Sequence, residues 1–508
     1  MRVFAFYGKR LLEQTTSPIV CSARLSGISL LLLCFASSCS NSNSSAPPSF
    51  SSASLKGNYT YTLSGTAFSS GGNQPYEEAG TFIADGKGNI TGGIDDFVEN
   101  STLSSNNITG TYVVGSNGNA TMTLQSSRGT VQFAMTLISS SDFYLIEYDS
   151  LASGSGEALQ QTPGAFSATP AGTFVFRLHS TLANSAVQGS VSNVGQMVIQ
   201  GGGIGGTEDV VRNGVPGSSS ILGLMDAPDS NGRGTATLSD SSGNQSSYTY
   251  YIVDSQTLKF LETDPGPLGD GRADMQTGSS FSNTSLTGPF CFRGRGDTIV
   301  SSFGFNGLGA FVADGNGNVT SGAYDSVQDG SSSSDVPVTG SYAVGSNGRA
   351  AITLTPQGMN SIPLVVWMIN SSSGLLLLDS PNLSVVGRMD QQQNTPFSAA
   401  SLNGLYAFYM FGVEGPSAPP VNRVGLMNFN GSSTITFSDY FVNLGGTTAR
   451  NGPETGNYSI SSNGRVVAFS VGGVKTQVIY LISNASGSLI LGTDGGDLGG
   501  SLALQAAP

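Results

Sequence analysis

Gly115-Ser116-Asn117-Gly118-Asn119-Ala120-Thr121-Met122-Thr123-Leu124 places a four-residue turn, built from residues that accept positive φ, ahead of a run that alternates apolar and polar side chains. Alternation with period two sets one face of a strand against a core and the other in water. A short loop carrying Asn-Gly joins antiparallel neighbours. The same reading holds at Asn58-Tyr59-Thr60-Tyr61-Thr62-Leu63 and Gln132-Phe133-Ala134-Met135-Thr136-Leu137, and Asp85-Gly86-Lys87-Gly88-Asn89, Ser126-Ser127-Arg128-Gly129 and Ser139-Ser140-Ser141-Asp142 add further hairpin turns. Strands are expected to begin near Tyr59, Gly80, Ile90, Ile108, Ala120, Val131, Phe143 and Gly156, and nothing reads as a helix.

Further along the chain, Asn117-Gly118 recurs as Asn231-Gly232, Asn347-Gly348 and Asn463-Gly464, at intervals of 114, 116 and 116 residues. Gly57, Gly172, Gly288 and Gly404 repeat at 115, 116 and 116. The chain is therefore a fourfold tandem array, with units at 54–164, 165–279, 280–395 and 396–508. An all-β unit of eight antiparallel strands joined by tight turns is a meander. It closes most simply as an up-and-down barrel of the lipocalin or streptavidin kind, which leaves no edge strand exposed. β-Sandwiches and a propeller-like assembly are the alternatives. Ala84-Asp85-Gly86-Lys87-Gly88-Asn89 and Ala313-Asp314-Gly315-Asn316-Gly317-Asn318 make units 1 and 3 one type, while Val194-Gly195-Gln196-Met197 and Val424-Gly425-Leu426-Met427 make units 2 and 4 another. This alternation predicts two-domain modules. Phe50, Phe166, Phe281 and Phe397 stand at the unit boundaries. Each either begins the first strand or plugs a barrel mouth against its neighbour, which would stiffen the array into a rod.

Ile28 to Ala36 is a short apolar stretch preceded by Arg2, Lys9, Arg10 and Arg24, so residues 1–38 read as a signal peptide, too short to span a bilayer. Ala36-Ser37-Ser38-Cys39 resembles the bacterial lipoprotein box, which implies lipidation at Cys39, with residues 39–53 as a polar tether. An ordinary cleaved signal is the alternative. Cys21 and Cys34 fall in the leader, so Cys291 stands alone in the body and no disulfide framework is available. Charged residues make up only 10% of the chain. Without the leader the body carries 16 Lys and Arg against 32 Asp and Glu, an acidic balance that excludes nucleic acid as a partner.

His179 is the single histidine, which rules out a multi-histidine metal site, and no nucleophile elbow or phosphate-binding loop is present. Glu147 with Asp149, Glu262 with Asp264, Asp379 and Asp494 lie near one strand end in each unit. Paired acids can hydrolyse glycosides, but a pair repeated in every copy points to strand capping. Asp314, Asn316 and Asn318 have the spacing of the first ligands of a Ca²⁺ loop, with Asp325 eleven residues after Asp314. Asp85, Asn89 and Asp96 are placed similarly. The glycine such a loop needs at its sixth position is Val319 or Ile90, and Lys87 replaces a ligand, so a plain hairpin turn is the competing reading. No other cofactor is expected.

The Leu-x-Gly-x-Tyr, Ala-Asp-Gly-x-Gly-Asn and Gly-Ser-Asn-Gly stretches over residues 54 to 505 resemble those of uncharacterised exported lipoproteins of soil bacteria, with tandem β-repeats of about the same length. The resemblance implies a cell-envelope protein, held by its lipid at the outer membrane or cell surface, and supplies no activity. The expected role is a non-enzymatic stalk or a surface-display and adhesion protein with a glycan or envelope partner. A glycan or small-ligand array that uses barrel mouths or an aromatic strip of Tyr248, Tyr250, Tyr251 and Trp367 is the alternative, ahead of a secreted hydrolase.

Overall fold

A computed structural model describes residues 49–69, 72–100, 102–182, 189–298, 304–328, 330–413, 419–470, 476–491 and 497–506. The leader, Cys39 and Asp494 lie outside them. The described chain is strand throughout apart from four 3-10 turns, and its strands form four closed antiparallel barrels of eight. Barrel 2 shows the pattern without interruption: Gly172–Leu182, Gly189–Gln200, Gly203–Arg212, Val215–Met225, Arg233–Asp240, Gln245–Ile252, Thr257–Glu262 and Pro267–Met275 pair in sequence, and the eighth strand returns to the first. In barrels 1 and 4 the fourth strand is broken, into Thr102–Asn107 and Thr109–Val114 and into Thr447–Asn451 and Glu454–Ile460. The barrel reading thus holds over both alternatives.

Alternation fills the interiors. In barrel 1 Tyr59, Tyr61, Phe82, Met122, Phe133 and Phe143 point inward and are at most 1% exposed, with Tyr59 stacked on Phe82 at 5.3 Å. Equivalent clusters occupy the other three barrels. Phe50, Phe281 and Phe397 are buried in the cores of their own barrels, and Phe166 packs on that of barrel 2, so each is a plug. Its seat is the Asn-Gly turn. Gly464 has a φ of +83°, and a Cβ there would stand 2.8 Å from the Phe397 ring and 2.9 Å from the Gln392 amide.

The expected rod is not what the chain builds. On each barrel a second apolar surface lies outside the wall. The outer faces of the first three strands of one barrel pack on those of the sixth to eighth strands of the next. Barrel 1 gives Ala79 and Val98 to Tyr251, Leu261 and Leu268 of barrel 2. Val175, Val194 and Val211 of barrel 2 meet Val365, Trp367 and Leu377 of barrel 3, and Cys291, Leu308 and Ala323 of barrel 3 meet Val478 and Tyr480 of barrel 4. Barrel 4 then offers Ala407, Val424 and Phe441 to Ala134, Tyr144 and Ile146 of barrel 1. A head-to-tail interface generates a ring when its rotation closes, and four copies on one chain close here. The anticipated A–B modules are likewise absent, because every barrel uses the same two faces toward both neighbours.

Candidate functional site

The ring concentrates its polar chemistry in three places: the seams, the axis and the mouths of barrels 1 and 2. At the first seam Asp96, wholly buried, accepts bonds from Arg233 Nε at 2.6 Å and Nη2 at 3.0 Å and from the Tyr251 hydroxyl. At the second, Asp209 takes Arg349 Nε at 2.8 Å and Nη2 at 2.6 Å and Trp367 Nε1 at 2.9 Å. At the third, Asp325 takes Arg465 Nε at 2.8 Å and Nη2 at 2.6 Å and the Tyr480 hydroxyl at 2.6 Å. Each arginine follows the Asn-Gly turn directly and sits opposite its aromatic partner on the neighbouring strand. Two-pronged pairing of guanidinium with carboxylate fixes orientation as well as contact.

The fourth seam is chemically different. Asn119 and Thr136 stand where the arginine and aromatic would be, and Asp439 pairs with Arg450 of its own barrel at 2.6 Å. Amide bonds cross instead: Asn117 Nδ2 donates to the Asp439 carboxylate at 3.0 Å, and Asn443 Nδ2 donates to the carbonyls of Glu147 at 2.9 Å and Ala152 at 2.7 Å. Tyr144 and Tyr409 meet at 4.6 Å.

A glutamine secures every seam in the same way. Gln161, Gln276 and Gln392, just past the eighth strand, each donate Nε2 to the carbonyl of the next barrel's Asn-Gly asparagine and to a sixth-strand carbonyl. Gln505 does this to Asn117 at 3.0 Å and Leu137 at 2.8 Å of barrel 1. The segment after barrel 4 therefore engages barrel 1 as each linker engages its successor.

Strands from all four barrels converge on the axis. Glu157 of barrel 1 pairs with Lys259 and, at 3.8 Å, with Arg272 of barrel 2. Arg272 holds Asp274 at 2.8 Å, Asp274 faces Arg388 of barrel 3 at 3.9 Å, and Arg293 donates to Ser501 of barrel 4. Lys259 beside Glu157 holds its carboxyl well below the ordinary range, whereas burial and the charge of Glu157 push Asp142 up to about 7. His179 bridges barrels 2 and 3, contacting Asp297 at 3.3 Å and Ser192 at 2.9 Å.

Inside the mouth of barrel 1, Glu78, Asp95 and Glu147 are at most 5% exposed. Tyr61 donates to Asp95 at 3.0 Å and Tyr76 to Glu147 at 2.5 Å. Arg128 pairs with Asp95 at 3.0 Å and lies 3.4 Å over Phe97. Burial raises all three acids, Glu147 to about 7. Barrel 2 repeats the motif with Glu208, held by Asn193 and Ser219 at 2.8 Å each, and Glu262, held by Ser180. In barrel 3 the same wall is apolar, with a void of about 10 Å³ between residues such as Tyr324 and Leu378.

The residues expected to bind Ca²⁺ are separated. Asp314, Asn316 and Asn318 do share a turn, in which Asp314 accepts the backbone N–H of Asn316 at 2.7 Å and of Asn318 at 2.9 Å and the Asn318 side chain at 2.7 Å. Asp85 and Asn89 form the same turn. Asp325 and Asp96 lie in the seams instead. Asp325 stands opposite Leu308, six residues up the strand from Asp314, which is about 20 Å at the rise of a β-strand. Asp149 caps the Gln132 N–H at 3.0 Å and Asp264 the Ser247 N–H at 2.6 Å, and Glu147 and Glu262 turn inward. Tyr248 and Tyr250 are interior to barrel 2, while Tyr251 and Trp367 belong to different seams, so no aromatic strip forms.

No family model and no curated protein matches the chain. Among solved structures, intact Ap-TbpB with its N and C lobes is 9% identical, with 88% of this chain and 95% of that one covered, at a TM-score of 0.18. A double mutant of the vaccine antigen transferrin binding protein B from Haemophilus parasuis Hp5 is also 9% identical, with 89% and 96% covered, at 0.18. Superposition that poor conveys neither topology nor function to this chain.

Proposed function

We propose that this chain is an exported, lipid-anchored and non-enzymatic envelope protein, tethered through Cys39, whose four barrels act as one rigid display ring. The observation that carries this reading is the use made of each barrel: its interior is filled by its own side chains, mostly aromatic and aliphatic with buried acids in barrels 1 and 2, and two outer faces are consumed by neighbours. A surface left to meet a large partner is the outward wall around the fourth strand, for example Thr447–Asn451, every residue of which is exposed. Ser, Thr and Asn are frequent there in barrels 1 and 3, at Thr102–Asn107 and Ser331–Val344, and suit hydrogen-bonding a neutral envelope glycan, while barrel 2 exposes Val215, Leu222 and Leu224 on the same wall. Two measurements test it. Metabolic labelling with a fatty acid is expected to mark the native chain in the envelope fraction and to fail for Cys39→Ser. Folded residues 49–508 are expected to retain envelope glycans in a binding screen while hydrolysing none of them, and turnover of any would end the non-enzymatic reading.

A further inference from the structure

Barrels 1 and 4 tie the entering linker to the turn after the sixth strand with a tyrosine. The Tyr59 hydroxyl donates to the Ser140 carbonyl at 2.6 Å and accepts the Lys56 N–H at 3.3 Å, and Tyr406 donates to the Asn484 carbonyl. Barrels 1 and 3 add a glutamine from the eighth strand: Gln160 to the Lys56 carbonyl at 2.9 Å and Gln391 to that of Thr287 at 3.0 Å. Barrel 2 has neither tie. Its tyrosine position is Phe174 and its glutamine position Met275. The leucine that enters the other cores, at 0–1% exposure as Leu55, Leu286 and Leu402, is Pro170, which remains half-buried.

Two of these replacements, Pro170 and Met275, line a cleft of about 190 Å³, and the Phe174 ring lies beside Met275 next to Gly172. Ala171 and Ser255, the counterparts of Lys56 and Ser140, stand in its lining, together with Pro170, Ile252, Asp254 and Met275. Ile252 is 1% exposed and offers an apolar floor. An apolar cavity of about 150 Å³ accepts benzene, so the space suits one ring and a small substituent.

We propose that this cleft binds small uncharged phenols, with the ring over Ile252 and Met275 and the hydroxyl donating to the Ser255 carbonyl as Tyr59 donates to that of Ser140. Asp254 at the rim disfavours anions. The probe is p-cresol, titrated into the chain from residue 49 onward with methyl-labelled methionine, with the Met275 resonance as readout. A saturable shift below about 10 mM is expected. Toluene, lacking the donor, is expected to bind about fivefold more weakly, and benzoate to leave the signal unmoved. Phe174→Tyr and Ala168→Phe, which fills the cleft from an exposed position, are each expected to weaken p-cresol at least tenfold, read on Met275. An unmoved Met275 signal, equal affinity for toluene, or undiminished binding in a folded Ala168→Phe variant overturns the proposal.

Discussion

Asp325 and Arg465 are 3% and 7% exposed at their side chains, the most enclosed of the seam ion pairs. Two ions taken out of water recover their hydration chiefly through each other, with Tyr480 and Ser334 in support, so removing one strands the other. Arg465→Ala is expected to cost about 3–5 kcal/mol by urea denaturation, whereas Asp325→Leu with Arg465→Met is expected to restore most of the loss. A different sign governs the acids in the mouth of barrel 1 and at the axis. Glu147 and Asp142 have folded pKa values near 7, raised by burial, against about 4 when unfolded. Their stabilising contribution is complete below about pH 4 and is lost as pH rises through 7. Glu157 and Asp274 are lowered, so what they contribute is lost in acid. Thermal stability is expected to peak at mildly acidic pH and decline from pH 5 to 8, and Glu147→Gln, which mimics the protonated acid beside Tyr76, is expected to flatten that decline.

At the level of elements, the Asn-Gly turn does more than reverse the chain, because the plug phenylalanine rests on its glycine and the preceding linker's glutamine reaches its carbonyl. Gly348→Ala places a Cβ 2.8 Å from the Gln276 amide and 3.0 Å from the Phe281 ring at a φ of +91°. A loss of about 2 kcal/mol is expected in thermal unfolding. The Asp314 turn makes a contrasting prediction. Its carboxylate is already satisfied by its own backbone, so millimolar Ca²⁺ or chelator is expected to leave the melting temperature unchanged, and a rise with Ca²⁺ would return the turn to the metal reading. Barrel strands and turns were legible because alternation and Gly placement are local. The eight expected starts near Tyr59 through Gly156 fall inside or within a few residues of strands at Lys56–Ser69 through Ala152–Gln160. The seams were legible only in part. Leu364-Val365-Val366-Trp367-Met368-Ile369 and Leu375-Leu376-Leu377-Leu378 break alternation because both faces are buried, the signature of a strand covered on two sides. The arginines after Gly232, Gly348 and Gly464 also repeat on the same ruler. Their aspartates lie 137 or 140 residues earlier, a pairing that no local pattern encodes.

At the scale of the molecule, the ring joins residues that a rod would hold far apart. Tyr144→Cys with Tyr409→Cys is expected to be bridged by a short bis-maleimide, since their rings meet at 4.6 Å across facing sheets that pack about 10 Å apart, linking barrels 1 and 4 detectably as a mobility change on a denaturing gel. Failure in a folded protein would reopen the ring. Ending the chain at Leu504 removes the two bonds that the Gln505 side chain makes to barrel 1 and that of Ala506 to Ile138, and small-angle scattering is expected to show expansion. Order of synthesis adds a consequence. Seams one to three join consecutive barrels, but Gln505 and Asn117 are 388 residues apart, so the Tyr144 and Ile146 face of barrel 1 waits for barrel 4. At about 5–20 residues per second, those 388 residues take roughly 20–80 s to be made, and that greasy wall stands bare at least as long. During that interval an escort, or a neighbouring nascent chain, competes with the rightful partner.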